Sequence, residues 1–235
     1  MFNNYRGIAD YYDQIVNSGY YNMPSVAREY KNLIGSDAKK ILEIGVGTGE
    51  LSGLLKDSYQ ITGIDFSDAL LNIAREKLKN TNVELLKKDV RELKFNNIFD
   101  AAVGHASIFI VIESKEGIVV ESFLTNISDI KISLENICKS IKCGAKFIID
   151  FHPEHTPGKR FMQLPHNNKY EFEIKQIGGT REFYKIHWIK NPSGKIIAES
   201  KDHKIRISLE EFNNLSLQSG FSKVEIIGKY LVLIK

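Results

Sequence analysis

The stretch Ile41-Leu42-Glu43-Ile44-Gly45-Val46-Gly47-Thr48-Gly49-Glu50 constrains this 235-residue chain more than any other. An apolar strand runs into three closely spaced glycines and then into a helical segment. Glycines let the main chain turn sharply and let a ligand approach backbone N–H groups with no Cβ in the way. Such a loop, at the end of a parallel strand and the start of a helix, sits where α/β sheets open their ligand crevice. Its spacing excludes two phosphate-binding readings. A dinucleotide loop places two residues between its second and third glycines; here Thr48 alone separates Gly47 from Gly49, and Glu50 occupies the dinucleotide position. No Gly-Lys-Ser/Thr follows, so this is not a P-loop. The Glu50 carboxylate at the helix start would also repel a pyrophosphate.

The strand–helix alternation continues beyond the loop. Extended segments are expected at Lys40–Ile44, Tyr59–Ile64, Val83–Lys87, Phe99–Gly104 and Ala145–Asp150. Helices are expected at Gly49–Lys56, Ser67–Lys79 and Asp129–Ile141, the second capped by Ser67. This rhythm predicts an α/β fold with a doubly wound, mostly parallel sheet. After Phe151 it stops. Lys169–Ile177, Arg181–Lys190 and Ile196–Ile207 read as three extended segments joined by Gly178-Gly179 and Asn191-Pro192-Ser193-Gly194, an antiparallel insertion. Ser208 and Glu211 form a capping box for a closing helix, followed by strands at Lys223–Ile227 and Leu231–Ile234. The expected organisation is an N-terminal helical cap over 1–36, a ligand-binding core over 37–150, an antiparallel β insertion or lid over 151–207, and a closing helix with the last two strands over 208–235.

Acidic residues end the next two strands. Asp65 lies 20 residues after Gly45, where a carboxylate accepts hydrogen bonds from both hydroxyls of a ribose. Phe66 beside it is placed to lie against an adenine face. Asp89 ends the third strand, placed to accept from an adenine amino group, with the Val90 N–H in reach of a ring nitrogen. Glycine loop, ribose acid and adenine acid after three consecutive strands ask for an adenosine without phosphate.

Together these residues resemble the class I S-adenosylmethionine-dependent methyltransferases. The family's E-x-G-x-G-x-G motif is matched by Glu43, Gly45, Gly47 and Gly49, its ribose acid by Asp65 and its adenine-side acid by Asp89. The resemblance covers about residues 37–150 and 205–235. It implies a Rossmann-like, seven-stranded sheet with an antiparallel last strand. The implied cofactor is S-adenosyl-L-methionine, leaving as S-adenosyl-L-homocysteine. Expected cofactor contacts are Glu43, Gly45, Val46, Gly47, Thr48, Gly49, Asp65, Phe66, Asp89, Val90 and Gly104, with Glu43 near the methionine end. The N-terminal Tyr5-Arg6-Gly7-Ile8-Ala9-Asp10-Tyr11-Tyr12-Asp13 is similar to the Y-x-x-x-A-x-x-Y-D lead of small-molecule methyltransferases. Those include the glycine N-methyltransferase-like enzymes and the N,N-dimethyltransferases of aminosugars, which also carry an antiparallel insertion.

In this family the end of the fourth strand faces the transferred methyl group, and His105 stands there. It is expected either to accept a proton from an attacking amine or hydroxyl, or to be hydrogen-bonded into the crevice wall. Tyr12 is the second catalytic candidate, closing over the site from the cap; interface packing is the alternative for it and for Tyr11. Tyr11, His152 and His155 are candidate substrate contacts. No metal is expected: the H-E-x-x-H spacing is absent, and Pro153 disfavours a helix between the two histidines.

Composition sets outer limits. Lys and Arg number 32 against 29 Asp and Glu, a net charge of +3, which gives no electrostatic case for nucleic acid or an anionic membrane. No apolar run approaches the roughly 20 residues of a membrane span. The N-terminus lacks the basic and apolar pattern of a signal peptide, and Cys138 and Cys143 suggest neither metal nor disulfide, so a cytoplasmic location is expected. The expected activity is methyl transfer to a small-molecule acceptor by in-line displacement, first to an amine nitrogen. Oxygen or carbon acceptors are the alternative, and a non-catalytic adenosyl-binding protein the second. A short-chain dehydrogenase is disfavoured by the glycine spacing and by the missing Tyr-x-x-x-Lys. A base-modifying enzyme is disfavoured because Gly104-His105-Ala106-Ser107 replaces the Asn/Asp-Pro-Pro-Tyr signature. Free strand edges and aromatic residues on the insertion suit a homodimer.

Overall fold

The computed structural model describes residues 5, 7–114, 117–152 and 158–235. In chain order the strands are β1 (Lys40–Ile44), β2 (Gln60–Asp65), β3 (Glu84–Lys87), β4 (Phe99–Gly104), β5 (Phe109–Ser114), β6 (Gly117–Ser122), β7 (Ile141–His152), β8 (Gly158–Gln163), β9 (Lys169–Gln176), β10 (Glu182–Lys190), β11 (Ile196–Ser208), β12 (Lys223–Ile227) and β13 (Tyr230–Ile234). The helices are α1 (Ala9–Ile15), α2 (Met23–Ile34), α3 (Glu50–Leu55), α4 (Asp68–Leu78), α5 (Ile127–Ser140) and α6 (Leu209–Gln218).

Seven strands form the expected sheet in the order β3-β2-β1-β4-β7-β13-β12, with β13 antiparallel to both neighbours. Successive residues of a strand face opposite sides, and here both sides are covered. Ile41, Ile61, Ala101 and Ile148 pack with Met23 and Ala27 of α2 and with Leu51 and Leu55 of α3. Their neighbours Leu42, Ala102, Phe147 and Ile149 pack with Ile130, Leu134 and Ile137 of α5 and with Phe212 of α6. Helices on both faces explain why β1 and β4 read as continuous apolar runs.

A second, antiparallel sheet runs β5-β6-β11-β10-β9-β8. The segment expected to hold the insertion contributes β8 to β11. The β5–β6 hairpin was not expected, because Phe109–Ile112 is buried on both sides and such a run shows no strand periodicity. One strand joins the two sheets. Residues 146–150 of β7 pair with β4 and β13, while Phe151 and His152 pair in parallel with Val111 and Ile112 of β5. Among the described residues no helix is long and apolar enough to cross a membrane.

The N-terminal cap closes the space between the sheets. Ile8 and Ile15 pack with Leu164, Tyr170, Phe172 and Ile189 of the second sheet. On its other side α1 is latched to the glycine loop. Thr48 Oγ1 donates to Asp13 Oδ1 at 2.6 Å, and Lys77 Nζ bridges Asp13 (2.8 Å) and Glu50 (2.6 Å). Gly7 sets the seat of the cap, since a Cβ there would lie 1.7 Å from the carbonyl oxygen of Glu199 in β11. Gly7→Ala is therefore expected to lift the N-terminal segment, at a cost of about 1–3 kcal/mol. A lower urea midpoint and faster protease cleavage ahead of α2 are the measurements that check it.

Candidate active site

The carboxyl ends of β1 to β4 face the cap and the second sheet across a cleft of about 930 Å³, open mouth included. Gly45 and Gly47 line it, at φ +69° and +56°, a region closed to most side chains. A Cβ on Gly45 would sit 2.9 Å from the Ser107 Cβ, so this glycine lets the loops after β1 and β4 meet. Gly49, at φ +80°, turns the chain into α3. Ser107 Oγ is buried in the cleft wall with no hydrogen-bond partner among the described residues.

Asp65, Phe66, Asp89 and Val90 all line this cleft. Asp65 Oδ2 accepts from Gly47 N–H (2.9 Å) and Oδ1 from Ser67 N–H (2.8 Å). The Phe66 N–H also acts on this carboxylate, which offers about four acceptor positions in all. Burial raises its pKa, against the pull of those N–H groups. Asp89 is more heavily engaged: both oxygens take the Arg91 guanidinium, and Oδ1 also takes the Arg91 N–H. Burial opposes its charge, but Arg91 outweighs burial and holds the carboxyl below its ordinary value. Phe66 remains 36% exposed, a ring face open to the cleft.

The other expected cofactor residues lie behind this wall. Val46 is buried, donating its N–H to the Ile64 carbonyl; Thr48 turns to Asp13; the Gly104 carbonyl accepts from Tyr30 Oη at 3.0 Å. Glu43 is buried beneath the loop, accepting a 2.5 Å hydrogen bond from Ser52 Oγ. An adenosyl group fits what does line the cleft: open glycine backbone, a buried carboxylate with acceptor capacity left, a partly exposed ring and, among the described residues, an unpartnered Ser107 hydroxyl.

A second chamber of about 570 Å³, open space included, adjoins the cleft; Tyr5, Tyr12 and Ala106 line both. Tyr12 thus stands where the cavities meet. Tyr11 packs with the apolar cluster between α1 and the second sheet and lines neither. His152 lines the chamber, with Nδ1 2.7 Å from Tyr21 Oη. His155 lies outside the described residues. His105 is set back in the wall: its Nδ1 is 2.6 Å from Asp150 Oδ2, and its ring lies edge-on to Tyr21 at 4.7 Å. His152 Nε2 lies 3.1 Å from the same Asp150 oxygen, off-line for a hydrogen bond. Burial alone would lower the pKa of His105; the Asp150 charge outweighs it and favours the imidazolium. His105, Asp150 and His152 place three potential ligand atoms within 4.8 Å. Ligands around one zinc ion stand roughly 3.4 Å apart at tetrahedral angles, so the 2.6 Å contact is a hydrogen-bonded ion pair. Asp150 and Tyr21 escaped sequence reasoning, and Tyr5 was read only as the first residue of the N-terminal lead. Asp150 had a usable signal, since like Asp65 and Asp89 it is an acid at the end of a parallel strand.

Burial pushes the Glu43 carboxyl up to about 7, from 4.5. Between those values the folded chain holds a proton that the unfolded chain has released, so this group makes stability fall as pH rises across that window. Glu43→Gln is expected to flatten the slope between pH 4.5 and 7 and to leave the variant up to roughly 3 kcal/mol more stable at pH 8. Urea unfolding at a series of pH values checks it; an unchanged slope would show that Glu43 is ionised throughout.

Comparison with known proteins agrees with this geometry. Residues 41–124 match a family model described as a methyltransferase domain, a span that runs from the glycine loop to the strands beside the second chamber. A Geobacillus sp. (strain WCH70) protein whose name places it with the methyltransferases is 22% identical over 240 residues, covering 96% of this chain and 92% of its own. Among solved structures, the CcbJ methyltransferase of Streptomyces caelestis superposes with a TM-score of 0.76 at 15% identity, covering 99% of this chain and 97% of its own. CalS10, an amino pentose methyltransferase from Micromonospora echinaspora, gives 0.69 at 15% identity, with 95% of each chain covered. The glycine loop and both acids thus lie within a methyltransferase domain, residues 41–124, on a fold shared with solved methyltransferases.

Proposed function

We propose that the chain methylates a small molecule, at an amine nitrogen, in the chamber beside the cofactor cleft. The observation that carries this reading is the pair of adjoining cavities, which meet at Tyr5, Tyr12 and Ala106 beneath the cap. A chamber roofed by α1 and walled by the second sheet suits a compact acceptor, and the amino pentose substrate of CalS10 is of that kind.

S-adenosylmethionine supplies an electrophilic methyl group on a sulfonium sulfur. The protein's part is to hold nucleophile and methyl in line at near-attack distance and to exclude water. Asp65 and the loop N–H groups hold the adenosyl end. Tyr12, Tyr21 and His152 hold the acceptor end. His105 acts through its charge. Asp150 favours its charged form, and His105 lines neither cavity, so it is not placed to remove a proton from the nucleophile. That favours nitrogen, because an uncharged amine attacks without a base, whereas a hydroxyl needs one.

Calorimetric titration with S-adenosylhomocysteine, run beside NAD, tests the cofactor. Micromolar binding of the first and none of the second is expected. Asp65→Ala should weaken it about 10- to 150-fold, the worth of hydrogen bonds to a charged group. Methyl transfer from labelled S-adenosylmethionine to pools of small amines and alcohols then tests the acceptor. Labelling confined to alcohols would overturn the nitrogen assignment, and no binding of S-adenosylhomocysteine would overturn the reading as a whole.

A further inference from the structure

The inner face of the second sheet carries charge where a buried sheet face is ordinarily apolar. Along β10 the buried positions are Phe183, Lys185, His187 and Ile189; along β11 they include Ser200, Asp202 and Lys204. Lys185 is 9% exposed and Lys204 only 1%, and both line the second chamber. Among the described residues neither ammonium meets a carboxylate within ion-pair distance or makes a hydrogen bond. What they touch are ring faces: Lys185 Nζ lies 4.6 Å from the Phe172 centroid and Lys204 Nζ 4.1 Å from that of Phe123. Burying an ammonium without a counter-ion is costly, and a ring face returns only part of that.

The nearby acids do not close the balance. Glu121 is spent on Arg206, whose Nε and Nη2 donate to Oε1 at 2.9 and 2.7 Å. Asp202 sits 2.9 Å from His187 Nε2, and burial keeps His187 below its ordinary pKa and hence uncharged at neutral pH. Two ammonium groups against one free carboxylate leave the chamber one positive charge in excess. Burial, and then the neighbouring Lys204, pull Lys185 down to about 8, against the opposing pull of Glu121 and Asp202.

We infer that Lys185 and Lys204 form an anion-binding subsite of the acceptor chamber, and that the acceptor carries a carboxylate as well as its nucleophilic nitrogen: a small amino carboxylate. A monoanion cancels the excess charge, whereas a phosphate dianion overshoots it. The inference rests on the methyl-transfer reading for the word acceptor; the subsite itself rests on the two lysines.

The test uses the full chain saturated with S-adenosylhomocysteine. Sodium acetate is titrated at constant ionic strength against chloride, and thermal unfolding is followed. The unmodified protein should show a saturable rise in Tm of about 2 °C or more. Lys185→Met and Lys204→Met should abolish it. Both variants should also melt higher than the unmodified protein without acetate, because an unpaired buried charge has become an apolar side chain of similar shape. Calorimetry with S-adenosylhomocysteine confirms that they are folded. A flat acetate titration, variants that respond like the parent, or variants that melt lower would each overturn the inference; the last would assign the lysines to ring packing. Saturation by inorganic phosphate at a tenfold lower concentration would overturn the carboxylate assignment. If the unmodified protein fails to bind S-adenosylhomocysteine, the methyltransferase reading falls, and the acetate response is still read on the unliganded chain. If it binds and acetate has no effect, only the subsite falls.

Discussion

The two halves of the site are held in one arrangement by a single buried carboxylate. Asp150 is 6% exposed, at the point where β7 leaves the first sheet for the second. Its oxygens take the His105 imidazole at 2.6 Å, the Ala106 N–H at 3.3 Å and the Tyr30 hydroxyl at 3.4 Å, with His152 Nε2 at 3.1 Å. Burial opposes the charge, yet the two histidines hold the carboxyl well below the usual carboxylate range. An anion kept at that depth must keep its partners, because removing one leaves an uncompensated charge worth about 3–5 kcal/mol. Those partners belong to α2, to the turn after β4 and to β7. The cofactor cleft and the acceptor chamber are therefore fixed to one another by the same charge.

That arrangement also changes what the cap does. The roof over the cleft is tied at two ends by chemistry of different kinds. Ile8 and Ile15 bury apolar surface against the second sheet, while Asp13 is bonded to Thr48 in the glycine loop and to Lys77. The glycine loop is in turn drawn to β2 through Gly47 N–H and Asp65. A continuous chain of hydrogen bonds thus runs from Asp65 through the glycine loop to the roof.

The sequence made some of this legible and hid the rest for physical reasons. Gly45, Gly47 and Gly49 all adopt positive φ, a demand so specific to glycine that spacing alone separates this loop from its phosphate-binding relatives. That Asp65 and Asp89 line the cleft was readable because each lies at or just past the carboxyl end of a parallel strand; that Arg91 would take the Asp89 carboxylate was not. The fold followed from alternation between apolar strands and amphipathic helices. The β5–β6 hairpin was hidden because Phe109–Ile112 is buried on every side. Lys185 and Lys204 were hidden for the opposite reason: a lysine in an alternating strand ordinarily marks the solvent face, and here it marks the inside. His105 was found at its strand end, but whether it points to the ligand or into the wall depends on Asp150, 45 residues away in sequence, and periodicity carries no such pairing.

The charge in the second chamber bears on how nitrogen could be methylated there without a base. An alkylamine in water at neutral pH is mostly an ammonium ion, which has no lone pair to attack with. Lys185 and Lys204 line this chamber, and His105 is buried in the adjoining wall beside Asp150, which favours its charged form. Like charges at close range disfavour the protonated form and lower an amine's pKa, by the same effect that Lys204 exerts on Lys185. On the proposed reading, the acceptor's carboxylate cancels the one excess charge when seated, so the field of the lysines disfavours a proton on its nitrogen as it enters, before that carboxylate is in place. The proton is then shed as the acceptor enters, before attack, and no side chain has to remove it during the displacement. A hydroxyl gains nothing from that field, since its difficulty is the formation of an anion during attack rather than the loss of a resident proton. On that proposal the same buried cations bind one end of the acceptor and prepare the other, which favours nitrogen over oxygen.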